Sequence, residues 1–187
     1  EEAIHDGIKD NLSEHQRVIF NGNGYSEEWV EEAERRGLPN IKSMVDSIPE
    51  LTKEENVAMF EKFRVFTKAE LESRAEVQYE NYAKTINIEA KAMIDIAAKQ
   101  IIPAVIKYAR NLAESINAIQ AAGITEVSVE KELLAETSAL LRETHAALSK
   151  LKEVDGKACC MEEGEECAKY YHDVVMLAMS ELREPVD

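Results

Sequence analysis

The chain has 187 residues, with 22 Lys and Arg against 37 Asp and Glu, a net charge of −15. Acidity on that scale repels phosphate backbones and anionic bilayers, so nucleic acid and membrane surfaces are poor partners. No apolar run approaches the ~20 residues that span a bilayer, and the acidic start, Glu1-Glu2-Ala3-Ile4-His5-Asp6, lacks the basic segment of a secretory signal.

That start, without an initiator Met, reads as partway into a helix of a longer chain. The pattern over 3–20 predicts a helix that runs into a short extended piece, Arg17 to Phe20, the one strand signal in the sequence. A lone strand needs a sheet, so its partners are expected outside this chain. Asn21-Gly22-Asn23-Gly24 is the clearest turn signal. Ser26 then suits an N-cap, Glu27 and Glu28 suit the positive end of a helix dipole, and Gly37 with Pro39 suits the close of a helix over 27–36. Trp29 with Tyr25 reads as ordinary packing in preference to an interface anchor.

Residues 38–51 read as a linker containing Pro39 and Pro49. Thr52-Lys53-Glu54-Glu55 has the form of a capping box opening a short helix with Val57, Met59, Phe60 and Phe63. Thr67-Lys68-Ala69-Glu70 is a second one, and it opens the dominant element. From Lys68 to about Gln120 there is no glycine, and apolar residues recur at helical spacing from Leu71, Ala75, Tyr79 and Tyr82 through Ile86, Ala90, Met93, Ile94, Ala97, Ile101, Val105 and Tyr108 to Leu112, Ile116 and Ile119. Pro103 lies inside it and predicts a kink or a break. Ser128 is expected to cap a helix over 129–154, with Leu133, Leu134, Thr137, Leu140, Leu141, Thr144, Leu148 and Leu151 on its core face. Asp155-Gly156 reads as a turn. A last helix is expected over 163–183, carrying Cys167, Tyr170, Tyr171, Val174, Val175, Ala178, Met179 and Leu182, closed by Pro185. The fold class is mainly α: an antiparallel helical bundle with long helices, one kinked at Pro103, preceded by a remnant of an α/β domain. The expected divisions are 1–40, the end of a preceding domain; 41–66, linker and short helices; and 67–187, the bundle.

Site chemistry is sparse. Gly22-Asn23-Gly24 between a strand and a helix invites a phosphate-loop reading, but a dinucleotide fingerprint needs glycine where Glu27 stands, and a Walker loop needs Gly-Lys-Ser/Thr. Two glutamates at the helix start also repel an anion. Three cysteines, Cys159, Cys160 and Cys167, are a poor disulfide framework and read as reduced cytosolic thiols. A zinc site would need a fourth ligand, for which His172 is the nearby candidate. A di-iron bundle needs paired Glu-x-x-His motifs, and Glu2-x-x-His5 stands alone. Neither a His-Glu-x-x-His motif nor a Gly-x-Ser-x-Gly elbow occurs. The acidic run Glu162–Glu166 reads as a solvated loop and helix start.

Several stretches, in order, resemble one family. They are Arg17-Val18-Ile19-Phe20-Asn21-Gly22-Asn23-Gly24-Tyr25-Ser26-Glu27-Glu28-Trp29-Val30, then Glu34-Arg35-Arg36-Gly37-Leu38-Pro39-Asn40, then Phe66 to Arg74 and Tyr82 to Ala90, and finally Tyr170-Tyr171-His172-Asp173-Val174-Val175 with Ala178 to Arg183. Together they are similar to the C-terminal region of type III glutamine synthetases, with the first stretch resembling the end of the catalytic region. The resemblance implies a parent enzyme of the cytoplasm that joins ammonia to glutamate with ATP and Mg²⁺ or Mn²⁺, through a γ-glutamyl phosphate. It also implies a double-ringed dodecamer that a C-terminal helical addition decorates or braces. The family's glutamates and histidine on sheet strands and its Lys-Pro nucleotide motif have no counterpart here, since the four prolines follow Leu38, Ile48, Ile102 and Glu184. No catalytic residue or metal ligand is therefore assigned. The loop Asn21, Gly22, Asn23, Gly24 and Tyr25 is the one candidate site, a rim to the active site of the intact enzyme, against the plainer reading of a tight turn. The expected partners are the rest of the synthetase chain and its own copies. The alternative is an independent helical scaffold or regulatory binding module, which an ordered, self-sufficient 1–40 segment would favour.

Overall fold

Helix punctuation decides most of this structure. The computed structural model describes residues 2–187, which divide into two compact units, Glu1–Asp46 and Ser47–Asp187. The first holds α1 (Glu2–Glu14) and α2 (Glu27–Arg35); α3 (Met44–Ser47) lies at the division. The second holds α4 (Glu54–Lys62), α5 (Lys68–Ile96), α6 (Ile102–Ala121), α7 (Ser128–Ala158), α8 (Glu165–Tyr170) and α9 (Met176–Arg183).

In the second unit, α5 begins as the sequence predicts. Thr67 accepts from the backbone N–H of Glu70, and the Glu70 carboxylate accepts from the N–H of Thr67, a reciprocal capping box. The expected box at Thr52 does not form. Thr52 is the last residue of a 3₁₀ turn, Ile48–Thr52, its hydroxyl donates to the Pro49 carbonyl, and Lys53 takes the cap position of α4. Two helices of this unit end in Schellman motifs. Gly123, at φ 92°, closes α6 with Gly123 N–H donating to Gln120 and Ile124 N–H to Ile119. Arg64 closes α4 in the same way at φ 55°, an uncommon conformation for a residue with a side chain.

Pro103 does not break the rod. The irregularity falls on the residues before it, where Ala97–Ile101 form a π-turn in which Ile102 N–H donates to the Ala97 carbonyl. The extra residue in that turn accommodates the proline ring and its missing N–H, so α5 and α6 run as one element of 54 residues. A second π-turn, Tyr171–Val175, joins α8 to α9. The second unit is thus three antiparallel rods, 68–121, 128–158 and 165–183, with α6 along α7, α7 along α9, and α5 along both α7 and α8. Their core comprises Ala83, Ile86, Ala90, Ala97, Leu148, Leu151, Val154, Ala158, Cys167, Tyr171, Val175, Ala178 and Leu182.

The α7 rod departs from the sequence reading at both ends. Ser128 is its first helical residue and bonds the Glu126 carboxylate instead of capping, leaving Val127 at the cap. Asp155-Gly156 does not turn the chain. Leu151, Val154, Asp155 and Ala158 are buried at helical spacing, and the helix continues to Ala158. The third rod, in turn, starts at Glu165, after Gly164 at φ 142°. Along the α6–α7 hairpin, Tyr108 and the expected core residues Leu133 and Leu140 stand exposed.

One partly buried polar cluster ties the three rods. Asn87 of α5 donates through Nδ2 to Asp155 Oδ1 at 3.1 Å, to Tyr171 Oη at 2.5 Å and towards Cys159 Sγ at 3.1 Å, while its carbonyl accepts from Lys91 Nζ at 2.7 Å. Asp155 is only 6% exposed. Burial raises its pKa, opposed by Lys91 and by the Asn87 hydrogen bond. Burial also pushes the Tyr171 hydroxyl up, helped by Cys159.

Two outcomes follow. Gly156→Ala adds a methyl group that meets no atom within 4 Å in a helix interior, so chemical denaturation should show about 0.5–1 kcal/mol of added stability. Asp155 has a folded pKa above its unfolded value of 3.8, so the native state holds the proton more tightly and the buried charge costs stability as pH rises through the folded pKa. Asp155→Asn removes that cost: urea midpoints compared at pH 4 and pH 7 should favour the variant more, relative to the parent sequence, at pH 7.

Candidate functional site

The loop after the first helix is built from the back. Ser26 stands at the N-cap of α2 with extended backbone, but its hydroxyl donates to the Asn23 carbonyl at 2.8 Å and does not cap. The Asn23 side chain accepts from Tyr25 N–H at 3.1 Å, a local turn of the kind asparagine favours. At the other end of α2, Gly37 (φ 69°) donates to Glu34 and Leu38 donates to Ala33, the Schellman motif that Gly37 and Pro39 predict.

Phe20 stacks on Trp29, with ring centroids 4.4 Å apart. Arg36 is the clamp. Its guanidinium lies 5.7 Å from the centre of the Trp29 ring, Nε donates to Glu32 Oε1 at 2.5 Å, and Nη1 donates to the carbonyls of Ile19 at 2.7 Å and Arg17 at 3.3 Å. No strand forms over 17–20. Gln16–Val18 is a 3₁₀ turn, Ile19 is extended, and two carbonyls a ladder would use accept from Arg36. No strand occurs among the described residues. Glu32 also takes a bidentate grip from Arg35, at 2.6 and 2.7 Å. Hydrogen bonds from Arg35 and then Arg36 lower its pKa to about 2. Arg35 and Arg36 thus do more than complement a helix dipole, and sequence spacing carried no sign of the Arg17 and Ile19 contacts.

The result is an open cleft of about 700 Å³ lined by Arg17, Phe20, Asn21, Gly22, Glu28 and Arg36, among others. Of the five candidate residues, Asn21 and Gly22 line it, while Asn23 shapes the turn. Tyr25 projects fully into solvent, at 101% exposure. The arrangement fixes a backbone loop; it brings together no nucleophile and base. Among the described residues, no group of three or more His, Cys, Asp or Glu side chains is placed to hold a metal ion. His172, the fourth ligand a zinc reading of the cysteines would need, is bonded to Asp173 at 2.7 Å. Among the described residues, no helix is long and apolar enough to cross a membrane.

Gly22 is the tight point of the loop. A β-carbon there would lie 2.6 Å from the Phe20 ring, whereas Gly24 has open space. Gly22→Ala should therefore displace Phe20 from Trp29. Since Trp29 is the single tryptophan, its emission should shift in Gly22→Ala and stay unchanged in Gly24→Ala.

Residues 3–120 match the family model described as glutamine synthetase C-terminal domain. A glutamine synthetase of Butyrivibrio fibrisolvens is 38% identical over the whole chain, which spans 27% of that protein. The type-3 glutamine synthetase of Dictyostelium discoideum is 41% identical over 60% of the chain and 15% of its own length. A glutamine synthetase of Bacteroides fragilis is 30% identical over the whole chain and 26% of its own length. The chain thus spans about a quarter, or less, of the length of the relatives it matches. It belongs to the glutamine synthetase C-terminal domain family.

Proposed function

We propose that this chain is the non-catalytic C-terminal part of a cytoplasmic type III glutamine synthetase, whose catalytic region ligates ammonia to L-glutamate with ATP and Mg²⁺ or Mn²⁺. The observation that carries the reading is the pair of matches along the whole chain, to proteins named glutamine synthetase that are about four times as long. Three stiff rods suit a brace for an oligomer, which in the parent is a dodecamer of like chains. The hairpin's uncovered Tyr108, Leu133 and Leu140 are apolar area available to a neighbour.

Residues 1–40 belong, in this proposal, with the catalytic region, although the family model's match runs across them. Three features support it. They fall in a compact unit apart from the bundle. α1 has no buried residue, and Ile4, Ile8 and Leu12 form an apolar stripe along it that is more than half exposed. A helix of 13 residues is marginal in water without a packed face, so a cover from the rest of the parent chain gives this stripe its reason. The clamped Asn21–Tyr25 loop then lies at the active-site rim. The alternative of an independent scaffold leaves α1 uncovered.

The test is sizing and activity together: light scattering and a glutamine-forming assay with glutamate, ammonia, ATP and Mg²⁺, on this chain and on its full-length parent. An inactive chain beside an active, oligomeric parent is expected. A parent carrying Tyr25→Ala should keep its mass and change its KM or kcat several-fold. Glutamine formation by the 187-residue chain alone, or an inactive parent, would overturn the proposal.

A further inference from the structure

We propose that Cys159 and Cys167 form a redox modification site, in which a hydroperoxide oxidises Cys159 and Cys167 resolves it to an intrachain disulfide.

The two thiols line one cleft of about 480 Å³, between α5 and the turn from α7 to α8. Cys159 is exposed at the C-cap of α7, while Cys167 is buried in the first turn of α8. The Cys167 sulfur approaches the carbonyl of Ala158, the neighbour of Cys159, at 4.0 Å. The intervening segment is the non-helical turn 159–164, closed by Gly164 at φ 142°, in which the N–H groups of Cys159, Cys160 and Met161 donate to Asp155, Lys157 and Ala158. Around Cys159 the cleft is polar: Asn87 Nδ2 points at Sγ from 3.1 Å, and Tyr171 Oη lies 3.7 Å away. Lys84 and Lys91 line the same cleft, as do Glu80 and Glu163, both of which pair with Lys84. Such an exposed, donor-lined thiol is the accessible partner for a peroxide, and a buried second thiol beside it is the resolving one. Burial raises the Cys167 pKa, so a peroxide meets the exposed Cys159 first.

The chemistry balances. The Cys159 thiolate attacks the terminal oxygen of ROOH; the O–O bond breaks, ROH leaves after taking a proton, and Cys159 becomes a sulfenic acid. The Cys167 sulfur then attacks the sulfenic sulfur, the S–O bond breaks, and the Cys167 proton leaves with the hydroxyl as water. Two thiols lose two electrons and the peroxide gains them. The new bond draws Sγ of Cys159 away from Asn87 and Tyr171, so the polar tie between the rods registers the oxidation.

The experiment is mass spectrometry of the chain after one equivalent of tert-butyl hydroperoxide, with cleavage at the glutamates between the cysteines. A loss of two hydrogens, mapped to a Cys159–Cys167 link, is expected, and it should persist in Cys160→Ser. Cys167→Ser should instead accumulate a sulfenic acid at Cys159 that dimedone captures. A link that survives in Cys159→Ser, oxidation confined to Cys160, or cross-linked dimers in place of the intrachain bond would overturn the proposal. The unsubstituted chain gives the deciding reading even if a variant folds poorly.

Discussion

The bundle depends on one amide. Asn87 reaches from the longest rod to Asp155 on the second and Tyr171 on the third, at the edge of a core that is mostly alanine, leucine, isoleucine and valine. Apolar packing alone tolerates sliding of one rod along another. A hydrogen-bonded cluster in low dielectric does not, because a slip leaves a buried carboxylate and a hydroxyl without partners. Asp155 therefore costs something as a buried charge, and what it returns is register. The same cluster reaches Cys159 and, through Lys91, the solvent edge.

Where a segment's own chemistry decides its structure, the residues announce it. Thr67 with Glu70 starts α5, Gly37 and Gly123 end α2 and α6, and the apolar period between Leu71 and Ile119 is a helix throughout. Where a neighbour decides, they do not. Asp155-Gly156 carries the letters of a turn, yet three packed positions around it hold the helix. Thr52 carries the letters of a cap, yet it was already committed to the turn before it. Tyr108, Leu133 and Leu140 have the spacing of core residues, but their burial depends on what packs against that face.

The candidate loop was legible as a turn and illegible as a mechanism. Asn23 and Gly24 mark the bend, and Asn23 makes the side-chain contact its type favours. The clamp behind it is long-range: Arg36 is separated from Ile19 and Arg17 by the whole of α2, and it grips their carbonyls. Trp29 proved to be a floor for the Phe20 ring and for Arg36. A guanidinium can do all three things at once because it is planar, multidentate and permanently charged.

The π-turn at Ala97–Ile101 sets a phase as well as easing a proline. An α-helix advances about 100° per residue, and one residue more than the α pattern requires is absorbed in that turn. The residues that α5 turns towards Asp155 and Tyr171 and those that α6 turns towards α7 are therefore set by two different starting angles along a single rod. The shared helix is a two-part key: shortening it by one residue there would leave its length and composition almost unchanged, while rotating Ile116 and the rest of the α6 face away from α7.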